Sequence, residues 1–228
     1  NGLMITDQKD TGYLTTTFGP RGPDIYSRGP ESKSTLFVEG LGCARDVRCD
    51  ATELVKARGI SGVRIDATHV YLPKMPVKFI GRLFLFIENE YWLVVDHVLS
   101  RGPDRPMGME SRLHTYAECK VLEDAASLKS GRERMQLTFA GLQPGVMQVS
   151  RGMPPMARGD QTTILRWMSG SRAVDNMHVV GLNPGSNRLG LTLSEDKDGT
   201  YLVRVDRPDG KKRKIRITSD LFIAPSGR

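Results

Sequence analysis

The chain has 228 residues, a formal net charge of +7 and 39% hydrophobic residues, which is enough apolar material to build a sizeable core. No stretch approaches the roughly 18 uninterrupted apolar residues that a membrane-spanning helix requires, so the sequence argues against a membrane span. The basic surplus is concentrated between Lys197 and Arg216, where eight Lys or Arg stand against three Asp. This surplus suits an anionic partner, although edge strands also carry Lys and Arg to resist aggregation.

The cysteines and the first residue bear on the cellular compartment. Cys43, Cys49 and Cys119 are an odd number without the CxxC spacing of a metal site. A Cys43–Cys49 disulfide in an exported protein and three free thiols both remain open. The chain starts at Asn1 with no basic and apolar leader, and we interpret it as a piece of a longer polypeptide.

The stretch from Lys78 to Val98 is expected to organise the fold. Leu83–Ile87 and Tyr91–Val95 are short runs rich in β-branched and aromatic residues, and Glu88–Glu90 is the polar interruption between them. This pattern predicts two antiparallel strands of a hairpin. Because neither run alternates cleanly between apolar and polar residues, both faces of the hairpin should be covered.

The segments before this hairpin have weaker patterns. Residues 1–30 are rich in Gly, Pro, Thr and Asp and predict a loop-rich segment with one short strand at Tyr13–Thr17. Leu36–Glu39 predicts a strand. Asp50–Arg58 has the spacing of a capped helical turn, with Asp50 as the cap and a glutamate three residues later. Val63–Leu72 starts with the alternation of a half-buried strand.

The segments after the hairpin repeat a rhythm of short strands and turns. Arg112–Cys119 predicts a strand with alternating faces, and residues 201–205 and 214–218 predict a hairpin across Arg207–Gly210. About a dozen short strands without helical periodicity predict an all-β fold, a large antiparallel β-sandwich, in one domain covering residues 1–228, with a basic hairpin at 197–228. The other candidate strands are Arg134–Ala140, Val146–Val149, Thr162–Met168, Met177–Gly181 and Leu189–Ser194.

No catalytic or cofactor motif is present in the sequence. The four histidines lack the spacing of a metal site, and nucleophile-elbow, Walker and dinucleotide-binding motifs are absent, so neither a metal nor a cofactor is predicted. His114 stands out because its strand places it on a polar face with Arg112, Tyr116 and Glu118, where imidazole and phenol would share a groove with an anionic sugar. A surface histidine bonded to Glu118 or to solvent explains the same pattern.

The order of several motifs resembles a known family. The segment Tyr26–Gly40 (YSRGPESKSTLFVEG) is followed by a strand around Ile65–Tyr71, by RLFLF at Arg82–Phe86 and by YWLVVDHV at Tyr91–Val98, and His114 lies in the next strand. This order resembles the C-terminal β-sandwich domain of heparinase II/III-type polysaccharide lyases, in which a phrase similar to HNTLxVDG precedes a hairpin similar to RxxLF…YWVVVDxV.

The resemblance implies a function and a missing partner domain. Family members pair an upstream α/α-toroid, which supplies Asn and Tyr catalytic groups, with this β domain, and they cleave uronic-acid polysaccharides by β-elimination. This chain departs from the family because Lys33 stands where the HNTL phrase has His, and the family's HxHxD segment is absent. The resemblance therefore implies a domain that is incomplete for catalysis alone.

These observations lead to a set of candidate residues. We predict a secreted or periplasmic lyase domain acting on an anionic polysaccharide such as a glycosaminoglycan, and the alternative is a non-catalytic anionic-glycan-binding or scaffold module. A nucleic-acid partner is disfavoured because the basic cluster lacks interleaved aromatic residues. The candidate catalytic residues are Lys33, His114 and Tyr116, and the candidate substrate-binding residues are Arg28, Arg112, Lys211, Lys212, Arg213 and Lys214.

Overall fold

The computed structural model describes residues 4–8, 26, 29–44, 51–71, 75–153, 160–196 and 198–224. None of the helices formed by these residues has the length and apolar character needed to cross a membrane. Apart from a 3₁₀ turn at Pro30–Ser32 and the short helix α1 (Thr68–Tyr71), the regular structure in these ranges is strand. The strands are β1 (Leu36–Val38), β2 (Ala51–Ala57), β3 (Ile60–Asp66), β4 (Val77–Ile87), β5 (Tyr91–Ser100), β6 (Met109–Thr115), β7 (Glu118–Leu122), β8 (Ala125–Ser130), β9 (Glu133–Gly141), β10 (Gly145–Arg151), β11 (Thr163–Ser169), β12 (Asp175–Pro184), β13 (Gly190–Glu195), β14 (Tyr201–Asp206) and β15 (Lys212–Ile217).

The strands form three antiparallel layers. An eight-stranded central sheet has the order β2-β3-β4-β5-β12-β9-β8-β7. A four-stranded sheet with the order β1-β6-β11-β10, called the outer sheet below, packs on one face of it, and the three-stranded back sheet β13-β14-β15 packs on the other. The predicted all-β antiparallel sandwich is confirmed, with a third layer that the sequence pattern did not indicate.

The predicted central hairpin is confirmed and is longer than expected. β4 and β5 pair from Ile87↔Tyr91 to Val77↔Ser100 and lie in the middle of the central sheet. Glu88 and Asn89 make the tight turn with φ values of 51° and 58°, in the left-handed region. Both faces are covered, because alternate residues of this hairpin contribute to the core under the back sheet and to the core under the outer sheet.

In the first third of the chain, one predicted element is wrong and another extends too far. The capped helical turn at Asp50–Arg58 is strand β2, which pairs along its length with β3 and forms an edge of the central sheet. The sheet pairing overrides a local capping signal that is worth only about 1 kcal/mol. The strand predicted over Val63–Leu72 ends at Asp66, because the Asp66 carboxylate accepts a hydrogen bond from the Thr68 N–H at 3.0 Å where helix α1 begins.

The predicted strand Arg112–Cys119 is two strands in different sheets. β6 ends at Thr115 in the outer sheet, and β7 begins at Glu118 in the central sheet. The Ala117 N–H donates to the Thr115 hydroxyl at 2.9 Å within the crossover. The C-terminal hairpin is confirmed as β14 and β15, with Gly210 in the left-handed region at φ 82°. The predicted strand at Tyr13–Thr17 lies outside the described residues.

Candidate functional site

The outer sheet carries a cleft on the face that points away from the central sheet. Arg112 of β6 and Arg166 of β11 are cross-strand partners, so both side chains lie on this face. The cleft has a volume of about 220 Å³. Its lining consists of Tyr26, Glu31, Arg112, Ser150, Arg151, Met153, Ile164 and Arg166.

Glu110 holds the two cross-strand arginines in place. Its carboxylate accepts hydrogen bonds from Arg166 Nε at 2.8 Å and Arg166 Nη2 at 2.7 Å, and from Arg112 Nε at 2.7 Å. The Arg112 guanidinium also lies over the Phe37 ring, 3.6 Å from its centroid. Bidentate pairing and stacking restrict both side chains, so their remaining N–H groups are presented in a fixed direction.

The charge state of this cluster follows from its contacts. Burial by itself raises the pKa of Glu110, but hydrogen bonds from Arg166 and Arg112 outweigh it and leave the pKa below its usual value. The same hydrogen bond from Arg166 raises the pKa of that guanidinium. With Arg151 added, three arginines face one paired glutamate and Glu31, so the cleft can hold a carboxylate or sulfate group.

His114 lies on the same face of β6 as Arg112, but it is buried and does not line the cleft. Its side chain is 0% exposed, and its Nδ1 is 2.8 Å from the Thr162 hydroxyl. Residues 6–8 and the segment around Ser34 cover it, since the Thr6 N–H donates to the His114 carbonyl at 2.9 Å and the His114 N–H donates to the Ser34 hydroxyl at 2.9 Å. The expected sugar-facing position of His114, and the alternative of a surface histidine, are both wrong.

The electrostatic surroundings of His114 make it neutral. Burial, with a further contribution from the positive charge of Arg112, lowers the pKa of His114 to about 4. At neutral pH the ring is therefore uncharged, and direct contact with a substrate would require the covering segment to move. The His114 ring contacts the Thr162 hydroxyl, which donates to Gln8 at 3.0 Å, and the Gln8 N–H donates to the Ser32 carbonyl next to Lys33 at 2.8 Å.

Lys33 lies on the segment that crosses the edge of the cleft. It follows the 3₁₀ turn, is half-buried, and its Nζ is 3.8 Å from the Asp7 carboxylate. The neighbouring Ser34 N–H donates to the same carboxylate at 2.9 Å. Lys33, His114 and Arg112 lie in one region, and of these three only Arg112 lines the cleft.

Tyr116 lies in a neighbouring depression. Its side chain is 42% exposed in the crossover between β6 and β7. This second hollow has a volume of about 460 Å³ and shares Ser150 and Arg151 with the arginine cleft. Tyr116 thus belongs to a surface continuous with the cleft but does not lie beside His114 as expected.

The predicted basic strand lies on the other side of the molecule. Lys211 Nζ is 3.2 Å from Asp209, Lys212 Nζ is 3.8 Å from Asp206, and Arg213 Nη1 is 2.6 Å from Glu88. Lys214 is exposed on β15, in the back sheet. Because the central sheet separates the back sheet from the outer sheet, these residues do not join the cleft. Arg28 lies outside the described residues.

A buried polar network supports the cleft from below. Arg82 on β4 makes a bidentate ion pair with Asp96 on β5 at 2.6 and 2.8 Å, and it donates to the Ser34 carbonyl at 2.8 Å. The Ser111 hydroxyl of β6 donates to Asp96 at 2.7 Å and lies 3.0 Å from His178 Nδ1. The network connects the central sheet to the outer sheet and to the Lys33 segment.

Two further observations on the described residues concern metal-ligating side chains and thiols. No group of three or more His, Cys, Asp or Glu side chains there is arranged to hold a metal ion. Cys43 and Cys119 are free thiols, and burial raises the pKa of both. Cys49 lies outside the described residues.

Sequence reasoning missed Tyr26, Arg151 and Arg166. Arg166 falls within a correctly predicted strand, where a single arginine between Leu165 and Trp167 was a detectable signal of an outward-facing charge. Its partnership with Arg112 depends on pairing between strands that are far apart in the chain. Local sequence contains no signal for that pairing.

The comparisons with known proteins identify a fold. No protein-family model and no curated protein matches the sequence. Among solved structures, a heparinase III with methylated lysines has a TM-score of 0.71 at 11% identity, over 94% of this chain and 34% of that chain. A second heparinase III structure has a TM-score of 0.71 at 12% identity, over 94% and 34%. A mutant heparan sulfate lyase HepC from Pedobacter heparinus has a TM-score of 0.67 at 12% identity, over 94% and 35%.

The chain spans about a third of the length of these structures. At such low identity the likeness concerns the fold. The resemblance that the sequence motifs indicated is therefore confirmed at that level: this chain has the fold of one β-sandwich-like part of heparinase III structures.

Proposed function

We propose that this chain is the β domain of a heparinase-like polysaccharide lyase and that its outer-sheet cleft forms one wall of a site for an anionic polysaccharide. In this proposal a helical domain of the same polypeptide supplies the opposite wall, and the protein is secreted or periplasmic. The observation that carries the proposal is the arginine cleft on a fold shared with heparinase III structures.

The chemistry of β-elimination explains why cations would be needed at this wall. The reaction removes the proton at C5 of a uronate, and the 4-linked sugar leaves. Neutralising the uronate carboxylate makes that C–H bond more acidic, because negative charge develops next to it. Arg112, Arg166 and Arg151 bind the carboxylate or sulfate groups of the chain, and Lys33 at the cleft edge provides a further cation.

In this proposal the residues that transfer protons lie in the helical domain. His114 is buried and neutral, so we give its ring a positioning role through the Thr162 hydroxyl, which donates to Gln8, and Tyr116 contacts more distant sugar units from the adjoining hollow. A general base must come within hydrogen-bond reach of the proton that it removes. The proposal therefore places the base in the helical domain and makes this chain incomplete for catalysis alone. Arg28 remains a sequence-based prediction of substrate contact.

The direct test is lyase activity of the full-length polypeptide that contains this chain. Product from heparan sulfate is followed by the absorbance of the unsaturated uronate. The variants Lys33→Ala and Arg151→Ala are expected to lower kcat/KM by about tenfold or more each, since each removes a charge-assisted contact worth roughly 1.5–3 kcal/mol. Lys120→Ala, an exposed charge on β7, is the matched control and should retain wild-type kcat/KM.

Two results would contradict the proposal. The first is unchanged kcat/KM in a Lys33→Ala/Arg151→Ala double variant, which would remove the cleft from the site. The second is the absence of unsaturated product from the full-length polypeptide on every uronate-containing polysaccharide tested. His114→Ala distinguishes positioning from catalysis: a positioning role predicts a raised KM with an unchanged pH profile, whereas a catalytic role predicts a lost limb of that profile.

A further inference from the structure

A groove separate from the cleft lies between two sheet edges on the far side of the molecule. β2 is an edge strand of the central sheet, and β15 is an edge strand of the back sheet. The space between them has a volume of about 900 Å³. We call it the edge groove. Its walls carry Lys56 near the end of β2, Arg58 in the β2–β3 turn, and Arg213, Lys214 and Arg216 on β15.

The edge groove has a positive excess that internal pairing does not remove. Five cationic side chains line it, against the two carboxylates of Glu88 and Asp196. Arg213 pairs with Glu88 at 2.6 Å, and Arg216 pairs with Asp196 at 3.3 Å. Lys56, Arg58 and Lys214 are exposed and form no ion pair with the acidic residues in the described ranges.

The shape of the edge groove is fixed by one of its own arginines. Arg213 donates to the Arg58 carbonyl at 2.6 Å while its other Nη donates to Glu88. It thereby ties the β2–β3 turn to the back sheet. Leu202, Ile215 and Ile223 provide an aliphatic floor. A bound chain would thus meet a preformed apolar base with cations along both walls, which lowers the entropy cost of binding.

The lining favours a polysaccharide over a nucleic acid. Single-stranded nucleic acids are bound by basic grooves that also carry aromatic side chains on which the bases stack. The described lining of the edge groove contains no aromatic side chain. Sulfate and carboxylate groups on a saccharide need only cations and hydrogen-bond donors, which Lys56, Arg58 and Lys214 supply.

We infer that the edge groove is a second binding site, remote from the cleft, for a sulfated or carboxylated polysaccharide chain. Such a site would hold a polymeric substrate or a cell-surface glycan while another stretch occupies the cleft, which raises the effective concentration of substrate at the cleft. The inference refines the sequence-based prediction of a basic strand. Of the residues predicted there, Arg213 and Lys214 belong to the site, whereas the ion-paired Lys211 and Lys212 lie outside its lining. Lys56 and Arg58 are added to the site.

The test is binding of a heparin hexasaccharide to this chain at several salt concentrations. The triple variant Lys56→Ala/Arg58→Ala/Lys214→Ala is expected to bind about tenfold or more weakly at low salt. The slope of log Kd against log salt should fall in magnitude by about two to three, because each lost cation releases roughly one counterion fewer. The triple variant Lys120→Ala/Arg132→Ala/Arg134→Ala removes the same charge from exposed positions on β7, in the β8–β9 turn and on β9, and should bind as the wild type does.

Every other outcome overturns the inference. Equal weakening in both triple variants means that net charge alone attracts the hexasaccharide. Wild-type binding in the Lys56/Arg58/Lys214 variant, with loss in Arg151→Ala, means that the cleft is the single site and leaves the proposed function intact. Binding of oligo-thymidine through the edge groove as tight as that of the hexasaccharide makes the groove a general polyanion site. Circular dichroism of each variant verifies folding, since all the altered side chains are exposed.

Discussion

The two faces of the central sheet are stabilised in different ways. The face under the outer sheet contains buried charged and polar side chains, including the Arg82–Asp96 pair and His178. The face under the back sheet is mainly aliphatic, with Leu85 and Val203 fully buried in its core. The polar contacts on that side include His97 Nε2, which is 2.9 Å from the Asp175 carboxylate, and the Thr138 hydroxyl, which donates to the Leu189 carbonyl at 3.0 Å.

This difference corresponds to the two basic surfaces. The cleft lies above the polar network, whose hydrogen bonds reach the Ser34 segment and set the positions of β6 side chains such as Arg112. The edge groove rests on an aliphatic floor and presents lysines with long flexible stems. The cleft is therefore suited to binding one carboxylate or sulfate group in a fixed orientation. The edge groove is suited to salt-dependent binding of a longer polysaccharide chain.

The largest effect is expected where the polar network loses a charge. Asp96→Ala would leave the Arg82 guanidinium buried without its carboxylate, which destabilises a protein by about 3–5 kcal/mol. Urea unfolding should show this loss. The control is Asp206→Ala, which removes an exposed carboxylate from a 3.8 Å pair with Lys212 and should change stability by less than about 1 kcal/mol. Equal effects of the two variants would contradict the distinction between the faces.

The aliphatic face should respond through packing alone. Leu85→Ala would open a cavity in a fully buried core and is expected to cost about 3 kcal/mol, within the range for large-to-small changes. The loss should be the same at pH 5 and pH 7, because no charged group is involved. A cost below about 1 kcal/mol in urea unfolding would show that the back sheet packs loosely on the central sheet.

The polar face should make stability depend on pH. Burial lowers the pKa of His178 to about 4, against the opposing effect of Asp96, so the unfolded chain binds a proton near pH 6.5 and the folded chain does not. The contribution of the neutral His178 ring to the free energy of unfolding is therefore present above pH 6.5 and is lost as the pH falls toward about 4.

The variant His178→Gln tests this pH dependence. It should remove about 2 kcal/mol of the difference in unfolding free energy between pH 7 and pH 5. His114, with a similar pKa, accounts for a second share. The same pH dependence in His178→Gln and wild type would exclude a buried neutral His178.

The smallest effect is expected on the exposed side of the back sheet. Lys212→Ala removes a solvent-exposed ion pair with Asp206 and should change the unfolding free energy by about 0.5 kcal/mol or less. It should also leave hexasaccharide binding unchanged, because Lys212 does not line the edge groove. A marked loss of binding in this variant would extend the edge groove along the whole strand.

The fold was predictable where local patterns and tertiary pairing agree. The runs around Leu83 and Tyr91 have the composition of buried strands, and the turn between them is short, so the hairpin followed from the sequence. Asp50–Arg58 was assigned wrongly because a capping pattern is local, whereas the edge pairing with β3 depends on the whole sheet. The alternation after Arg112 predicted β6 but contained no signal that the chain would change sheets after Thr115.

The cleft was predictable only in part. Lys33 was identified because it stands where the family's HNTL phrase has His, and Arg112 because strand alternation places it on the polar face with His114. His114 was assigned to an open face because strand alternation gives the side of the sheet and not what covers it, and here residues 6–8 do. Arg166 required the register between β6 and β11, which local sequence does not specify.

The most direct test of two separate polyanion surfaces is an NMR titration of this chain with heparan sulfate hexasaccharide, following backbone amide shifts. We predict two groups of perturbed amides: one on β6, β11 and residues 29–34, and a second at the β2–β3 turn and β15. The second group should disappear first as salt is raised. Perturbation confined to residues outside both surfaces, or a single group that remains after Arg151→Ala and after Lys214→Ala, would contradict the account.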